Sequence, residues 1–359
     1  MTMNKAKVIA FYLPQFHPIP ENDIWWGKGF TEWTNVAKAK PLYNGHYQPR
    51  IPKDLGFYDL RLEETRILQA ELANEAGVSA FCYWHYWFGN GKQLLEKPLQ
   101  DVVKSDKPNF PFCLAWANHS WQKKSWNSDV SRLSKELLVE QLYPGRKDVD
   151  DHFYAMLSTF KDKRYFKIED KLVFIFYCFE DILDSDYFIN RWQELALINN
   201  IPGFYFIGHT SNIDNINNGK YKKLDAINLH LLSKCFNESK LNRFKAWILN
   251  RPQNIISYSE GMKYWEDEIL CLEKVFPTIY PNWDTTPRIG VVGTILNDST
   301  PKLFKKHVNN ILKLISKKSE TNKIIFLKSW NEWAEGNYLE PDLKFGTDYI
   351  NALKEALKK

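Results

Sequence analysis

The stretch "SWNEWAEGNYLEPD", residues 329 to 342, sets two glutamates, Glu332 and Glu335, three positions apart among tryptophans. In a helical turn that spacing puts the side chains ~5–6 Å apart at Cβ. Carboxyl groups so paired suit the breaking of a glycosidic bond, one protonating the leaving oxygen and the other acting as nucleophile or base. Flanking Trp330 and Trp333 would lower the local dielectric and push one carboxyl toward its protonated form, as an acid working at neutral pH requires. An i,i+3 pair of acids also fits helix capping or pairing with a lysine, so the fold must decide. Glu340 is a third acid, read as a loop residue.

The elements that must position these acids are short apolar runs with helical patterns between them. Strands are predicted at residues 8–13, 78–84, 111–117, 172–177, 204–209, 226–230, 277–281 and 323–330. In the helix between the first two, Asp59 is the cap, Leu62, Ile67, Leu68, Leu72, Ala73 and Ala76 make an apolar stripe, and Gly77 ends it. Further helices are predicted at 131–142, 149–160, 186–199, 258–274, 301–317 and 347–358. Eight alternating units argue for an α/β fold, a single (β/α)8 TIM-type barrel over residues 1–359 with an elaborated Trp-rich loop after the first strand.

In such a barrel the residues just past each strand meet on one face. They include Tyr12, Gln15 and His17, then His85 and Trp87, then Trp116, Asn118 and His119. Later strands add Tyr177, His209, His230, Asn282, Trp283 and Asp284, and the last adds Trp330, Asn331 and Trp333 beside the two acids. One histidine taken singly is more often structural; several converging on one face favour a site. The loop of residues 19–50 is too long and turn-rich for a plain connection, which makes Trp25, Trp26 and Trp33 candidate sugar platforms and Glu32 a hydroxyl ligand or alternative acid. "HYWF" could equally be core, whereas "WANHSW" is polar enough to prefer solvent or ligand.

Composition narrows the ligand. The chain has 359 residues, is 44% apolar and carries 14 Trp, 18 Tyr and 23 Phe, 15% aromatic in all. Sugar rings present apolar C–H faces that stack on aromatic rings, although an aromatic core would give the same count. Net charge is +5, but lysines such as Lys161, Lys163 and Lys167 are mixed with Asp162, Glu169 and Asp170, so no nucleic-acid footprint is expected. No apolar run is long enough for a membrane span. "MTMNKAKVIAFYLPQ" has a six-residue apolar run before Pro14 and no cleavage site, so it reads as a first strand and a cytoplasmic location is expected. Cys82, Cys113, Cys178, Cys235 and Cys271 are dispersed and read as buried free thiols. "DSD" (184–186) and "DVD" (148–150) sit where helices start, and neither metal nor cofactor is called for. No serine-hydrolase elbow, dinucleotide fingerprint, Walker loop or zincin motif occurs.

Taken together, "AFYLPQFHPIPENDIWWGKGFTEW", "FCYWHYWFGNGKQLLEKPL", "FCLAWANHSW", "PNWDTTPR" and "SWNEWAEGNYLEPD" resemble the WbsX-like family, described as glycosyltransferases of lipopolysaccharide or O-antigen biosynthesis. That family is similar in turn to glycoside hydrolase family 99, barrel endo-α-mannosidases and mannanases with an Asn-Glu-Trp-His-Glu-Gly motif. Here the matching residues are Asn331, Glu332, Trp333, Ala334, Glu335 and Gly336, with Ala334 in place of His. The resemblance implies a retaining mechanism. Glu332 would be the base that helps the sugar's own 2-hydroxyl attack, giving an anhydro-sugar, and Glu335 the general acid and later the base toward water.

The expectation is a glycoside hydrolase acting within a bacterial surface-type polysaccharide or a derived oligosaccharide. A glycosyltransferase of O-antigen or capsule assembly and a noncatalytic carbohydrate-binding protein are the alternatives.

Overall fold

Each of the eight predicted apolar runs forms a strand in the computed structural model, which describes residues 6–123, 136–236, 251–252 and 254–358. They are β1 (Lys7–Tyr12), β2 (Val78–Trp87), β3 (Phe112–Trp116), β4 (Lys171–Phe176), β5 (Phe204–Thr210), β6 (Ala226–Leu229), β7 (Val275–Ile279) and β8 (Ile324–Leu327). All eight pair in parallel in chain order. β1 closes the ring by pairing with both neighbours, Val8 opposite Ile325 of β8 and Phe11 opposite Cys82 of β2. Strands buried on both faces read as continuous apolar runs, which is why length and spacing sufficed to find them. The interior is aromatic: the Phe11 ring stacks on Trp84 at 4.7 Å and on Phe326 at 5.4 Å, and meets His209 edge-on.

The Trp-rich loop after β1 is folded by two short helices, α1 (Pro20–Trp26) and α2 (Glu32–Lys38). Thr31 and Thr34 form a reciprocal capping box that starts α2 and so fixes Glu32 at its first turn. α3 (Glu63–Ala76) returns the chain to β2 and ends at Gly77, whose φ of +87° is the left-handed conformation that favours glycine.

The predicted stripe of α3 needs correction. Leu62 and Leu68 are exposed, and Asp59 bonds Arg61 rather than capping the helix. The buried face carries Arg66 and Gln69 beside Ala70, Ala73 and Ala76, because Gln69 bonds Tyr12 and Glu340 and Arg66 donates to the Leu60 carbonyl. A hydrophobic pattern cannot announce polar residues buried for their hydrogen bonds.

The outer layer continues with α4 (Lys97–Ser105), α5 (Arg146–Ala155), α6 (Ser185–Ile198), α7 (Tyr258–Trp265), α8 (Pro301–Leu314) and α9 (Asp348–Leu357). Asp184 caps α6 through the Tyr187 amide, and Thr300 caps α8 with Pro301 at its first position. The helix expected at 149–160 is interrupted at Met156, and that expected at 258–274 stops at Trp265. In place of a helix at 131–142, Leu137–Val139 pairs antiparallel with Trp121–Gln122, while 131–135 lie outside the described residues, as does the end of the 114–127 stretch.

The five thiols are free, but Cys271 is exposed and Cys178 only half-buried. Among the described residues no helix is long and apolar enough to cross a membrane.

Candidate active site

Beyond β8 the chain turns back in a short hairpin. Asn331–Glu332 pairs antiparallel with Asn337–Tyr338, and Trp333–Glu335 form one 3-10 turn at the tip. Gly336 follows at φ +56°, and a Cβ there would lie 2.7 Å from Cβ of Asp284, so both backbone and space demand glycine. This hairpin, not a helix, brings Glu332 and Glu335 to one cavity.

The two acids share a cation. Arg288 sits on a one-turn helix, Thr286–Ile289, that follows β7. Its Nη1 contacts Oε1 of Glu335 and lies 3.7 Å from Oε1 of Glu332; its Nη2 and Nε donate to Oε1 of Glu32 at 2.6 and 3.2 Å. Two oxygens within 3.7 Å of one nitrogen are at most twice that distance apart, which is within reach of the ~5–9.5 Å separations used in glycoside hydrolysis.

Burial strips water from Glu332 and the Glu335 carboxylate adds repulsion, pushing the Glu332 carboxyl up to about 7 against the pull of Arg288 and Lys328. Burial raises Glu32 as well, opposed by Arg288. For Arg288 burial works against the charge, but the surrounding carboxylates of Glu32, Glu335 and Glu332 outweigh it and raise its pKa.

Above the pair opens a cavity of about 220 Å³ with Trp84, Tyr86, Trp121 and Tyr177 as aromatic walls and Lys328 beside Glu332. A wider cleft of about 450 Å³ adjoins it, walled by Trp26, Phe30 and Glu32 and by the amides of Asn22 and Asn35. Gln15, His119, Trp121 and Arg288 border both, making one continuous depression at the C-terminal end of the barrel. Aromatic faces with a few convergent polar groups suit a ligand whose rings have apolar faces and hydroxyl rims.

Of the predicted site residues, Gln15, Trp26, Glu32, His119, Tyr177, Glu332 and Glu335 border this depression. His209 lies behind Tyr177, stacked at 5.4 Å, with its Nδ1 bonded to Oδ1 of Asn228 at 2.6 Å. Trp25 meets Trp121 edge-on at 6.0 Å.

The structure places the others away from the cleft. Side chains alternate along a strand, so Trp84 and Tyr86 of β2 face the cavity while His85 and Trp87 face outward. His85 Nε2 is 2.8 Å from Nε2 of His152, and Trp87 stacks on that same ring. Trp116 donates to the Trp87 carbonyl and stacks on Phe188. Tyr12 points from β1 to Gln69 on α3, and His17 bonds the Pro14 carbonyl. Asn118 and Asn331 are backbone clamps, the first on Cys178 and the second on Leu13. Trp33 donates to the Tyr58 carbonyl, Trp283 to Thr294, and Trp330 is buried against Phe81.

Two predicted residues support the acids from behind. Asp284 is fully buried: Oδ2 accepts from His46 Nε2 and Gln48 Nε2 at 2.8 and 2.7 Å, Oδ1 accepts from Thr286, and its amide donates to the Glu335 carbonyl at 2.7 Å. Burial opposes its ionisation, but the hydrogen bond from His46 and the Arg50 charge outweigh it and hold the carboxyl below its usual range. Trp333 stacks on Tyr338 at 3.8 Å and donates to Glu340 at 2.6 Å. Glu340 is therefore a buried acceptor, not a plain loop residue; it also receives Tyr58 and Gln69.

Sequence reasoning missed Arg288, Lys328, Trp84 and Tyr86. Arg288 lies within "PNWDTTPR", whose distance from the acids in the chain hid its role. Strand alternation on β2 could have picked Trp84 and Tyr86 over their neighbours.

A closed ring of eight parallel strands with its cleft at their C-terminal end is a (β/α)8 TIM-type barrel. The chain belongs to the family described as Glycosyltransferase WbsX, which matches residues 8–353. It is 32% identical over 358 residues to "Uncharacterized protein WxcX" of Xanthomonas campestris pv. campestris, covering 99% of this chain and 50% of that protein. The chain thus spans about half the length of the curated relatives it matches. Among solved structures, a "Glycoside hydrolase-like protein" superposes with a TM-score of 0.64 at 16% identity, over 98% of this chain and 94% of its own. A GH99 endo-alpha-mannosidase from Bacteroides thetaiotaomicron gives 0.55 at 15%, over 98% and 95%. At such identities the likeness shows the fold.

Proposed function

We propose that this chain is a catalytic barrel that cleaves a glycosidic bond within a polysaccharide or oligosaccharide of the bacterial surface type, with retention and without metal. The observation that carries this reading is the meeting of Glu332 and Glu335 at one cavity, both within reach of the Arg288 guanidinium. Glu332, with a carboxyl near 7, is suited to take a proton from the sugar's 2-hydroxyl as that oxygen attacks the anomeric carbon. Glu335, entering the step protonated, gives its proton to the departing glycosidic oxygen. It then takes one from the water that reopens the anhydro-sugar, as Glu332 returns its own proton to the 2-oxygen. The aromatic walls hold the rings on either side of the broken bond. The GH99 endo-alpha-mannosidase likeness supports endo action on this fold.

The description of the family favours a second reading, a glycosyltransferase. Its donor would bring a doubly charged nucleotide diphosphate to a cleft whose two cations, Arg288 and Lys328, already face Glu32, Glu332 and Glu335, an electrostatically poor match. Product release without any nucleotide sugar distinguishes the two: a glycosidase cuts, whereas a transferase consumes donor only when acceptor is present.

A further inference from the structure

Lys328 follows the last residue of β8 and is 92% removed from solvent, its exposure being 8%. Its side chain borders the same cavity as Glu332 and Glu335. Among the described residues no carboxylate lies within 4 Å of its ammonium and no acceptor bonds it; it sits 5.4 Å from the Trp283 ring and acts on the Glu332 carboxyl only at longer range. The other cation of the cavity is committed, Arg288 being engaged by Glu32 and Glu335.

An ammonium on a cavity wall with no acceptor from the protein favours a ligand that brings an anionic one. The groups behind it do not. His209 and His230 stack on one another at 4.1 Å, and burial, with the Lys328 charge, keeps both neutral. Nδ1 of His209 is used by Asn228, and its buried Nε2 has no hydrogen-bond partner. One positive charge without a contact ion pair, next to a carboxyl pair, matches a single negative charge better than a doubly charged phosphate.

We propose that Lys328 defines a subsite for a sugar bearing a carboxylate, so that the glycan this cleft takes is acidic, with a uronate-type residue beside the bond to be broken. This rests on the cleft being the sugar site proposed above. The uronate would bring its carboxylate to the ammonium while its ring lies against the aromatic wall at Tyr177 and Trp84.

The test is calorimetric titration of the Glu335→Gln chain with uronate-containing oligosaccharides, their carboxyl-reduced neutral counterparts and sulfated analogues. The same titrations are repeated with Lys328→Met and Lys328→Arg added. We expect a uronate oligosaccharide to bind ~10-fold or more tighter than its reduced form. Lys328→Met should abolish that ratio and Lys328→Arg should keep most of it. Equal binding of acidic and neutral forms, tighter binding of the sulfated series, or a ratio that survives Lys328→Met would overturn the assignment, as would a panel in which no acidic glycan binds. Binding needs no turnover, so uronate binding by the Glu335→Gln chain with no cleavage of those glycans by wild type sinks the glycosidase reading and leaves this one. Wild-type cleavage of neutral glycans without acidic preference sinks only this one.

Discussion

Nη2 of Arg288 donates to Oε1 of Glu32 at 2.6 Å while Nη1 of the same guanidinium meets Glu335, so one side chain ties together the loops that follow β1, β7 and β8. Three elements distant in sequence thus share their alignment through a fork-shaped cation. Lysine has the charge but not the fork. Arg288→Lys should therefore lower kcat/KM by ~10²-fold or more through misplacement of the acid pair. It should also destabilise the fold by ~1–3 kcal/mol, because a single ammonium cannot hold Glu32 and Glu335 together and leaves a buried carboxylate short of a donor. Steady-state kinetics and a thermal melt check both effects.

The Glu332 carboxyl lies near 7, so it is mostly protonated in mild acid and increasingly charged as pH rises through that value. A base must be charged to work, so kcat/KM should fall on the acid side with an apparent pKa near 7, and Glu332→Gln should leave only a residual rate without that limb. A profile that falls only on the alkaline side would make Glu332 the proton donor and exchange the two roles.

Glu340 offers a stability measurement independent of catalysis. Burial pushes its carboxyl up to about 7 from the ordinary 4.5, with donors from Trp333, Gln69 and Tyr58 pulling it back. The folded chain holds a proton that the unfolded chain releases, so the stabilisation is full below pH 4.5 and lost as pH rises through about 7. Glu340→Gln offers one acceptor oxygen to those three donors and should cost ~1–3 kcal/mol at pH 5. The gap to wild type should narrow toward pH 8, as read by chemical denaturation at each pH.

Trp121 borders both parts of the cleft and meets Tyr86 and Phe88 edge-on. If it is a sugar platform, Trp121→Ala should raise KM ~10-fold while kcat changes much less, the signature of binding shared by ground and transition states. An equal fall in kcat would instead make it part of the catalytic geometry.

Much of the barrel was legible because its strands are buried on both faces. "LVFIFY" and "FYFIGH" announce themselves by apolar content and length, and they form β4 and β5. The site was less legible, because sequence finds the end of a strand more easily than the direction of a side chain. His85 and Trp87 looked as suitable as Trp84 and Tyr86, and only the pleat separates them. Arg288 was hidden for another reason: its partners are 256 and 47 residues away along the chain, contacts that closure of the barrel creates. The stripe of α3 misled because Gln69 and Arg66 are buried for their hydrogen bonds.

The most direct test of the paired-acid account is product release from a panel of neutral and acidic bacterial surface polysaccharides and α-mannans, with no nucleotide sugar present. Wild type would be compared with Glu332→Gln and Glu335→Gln. The account predicts cleavage of at least one polymer by wild type and loss of that cleavage in both variants. Cleavage that persists in both variants, or donor consumption that requires an acceptor while no polymer is cut, would contradict it.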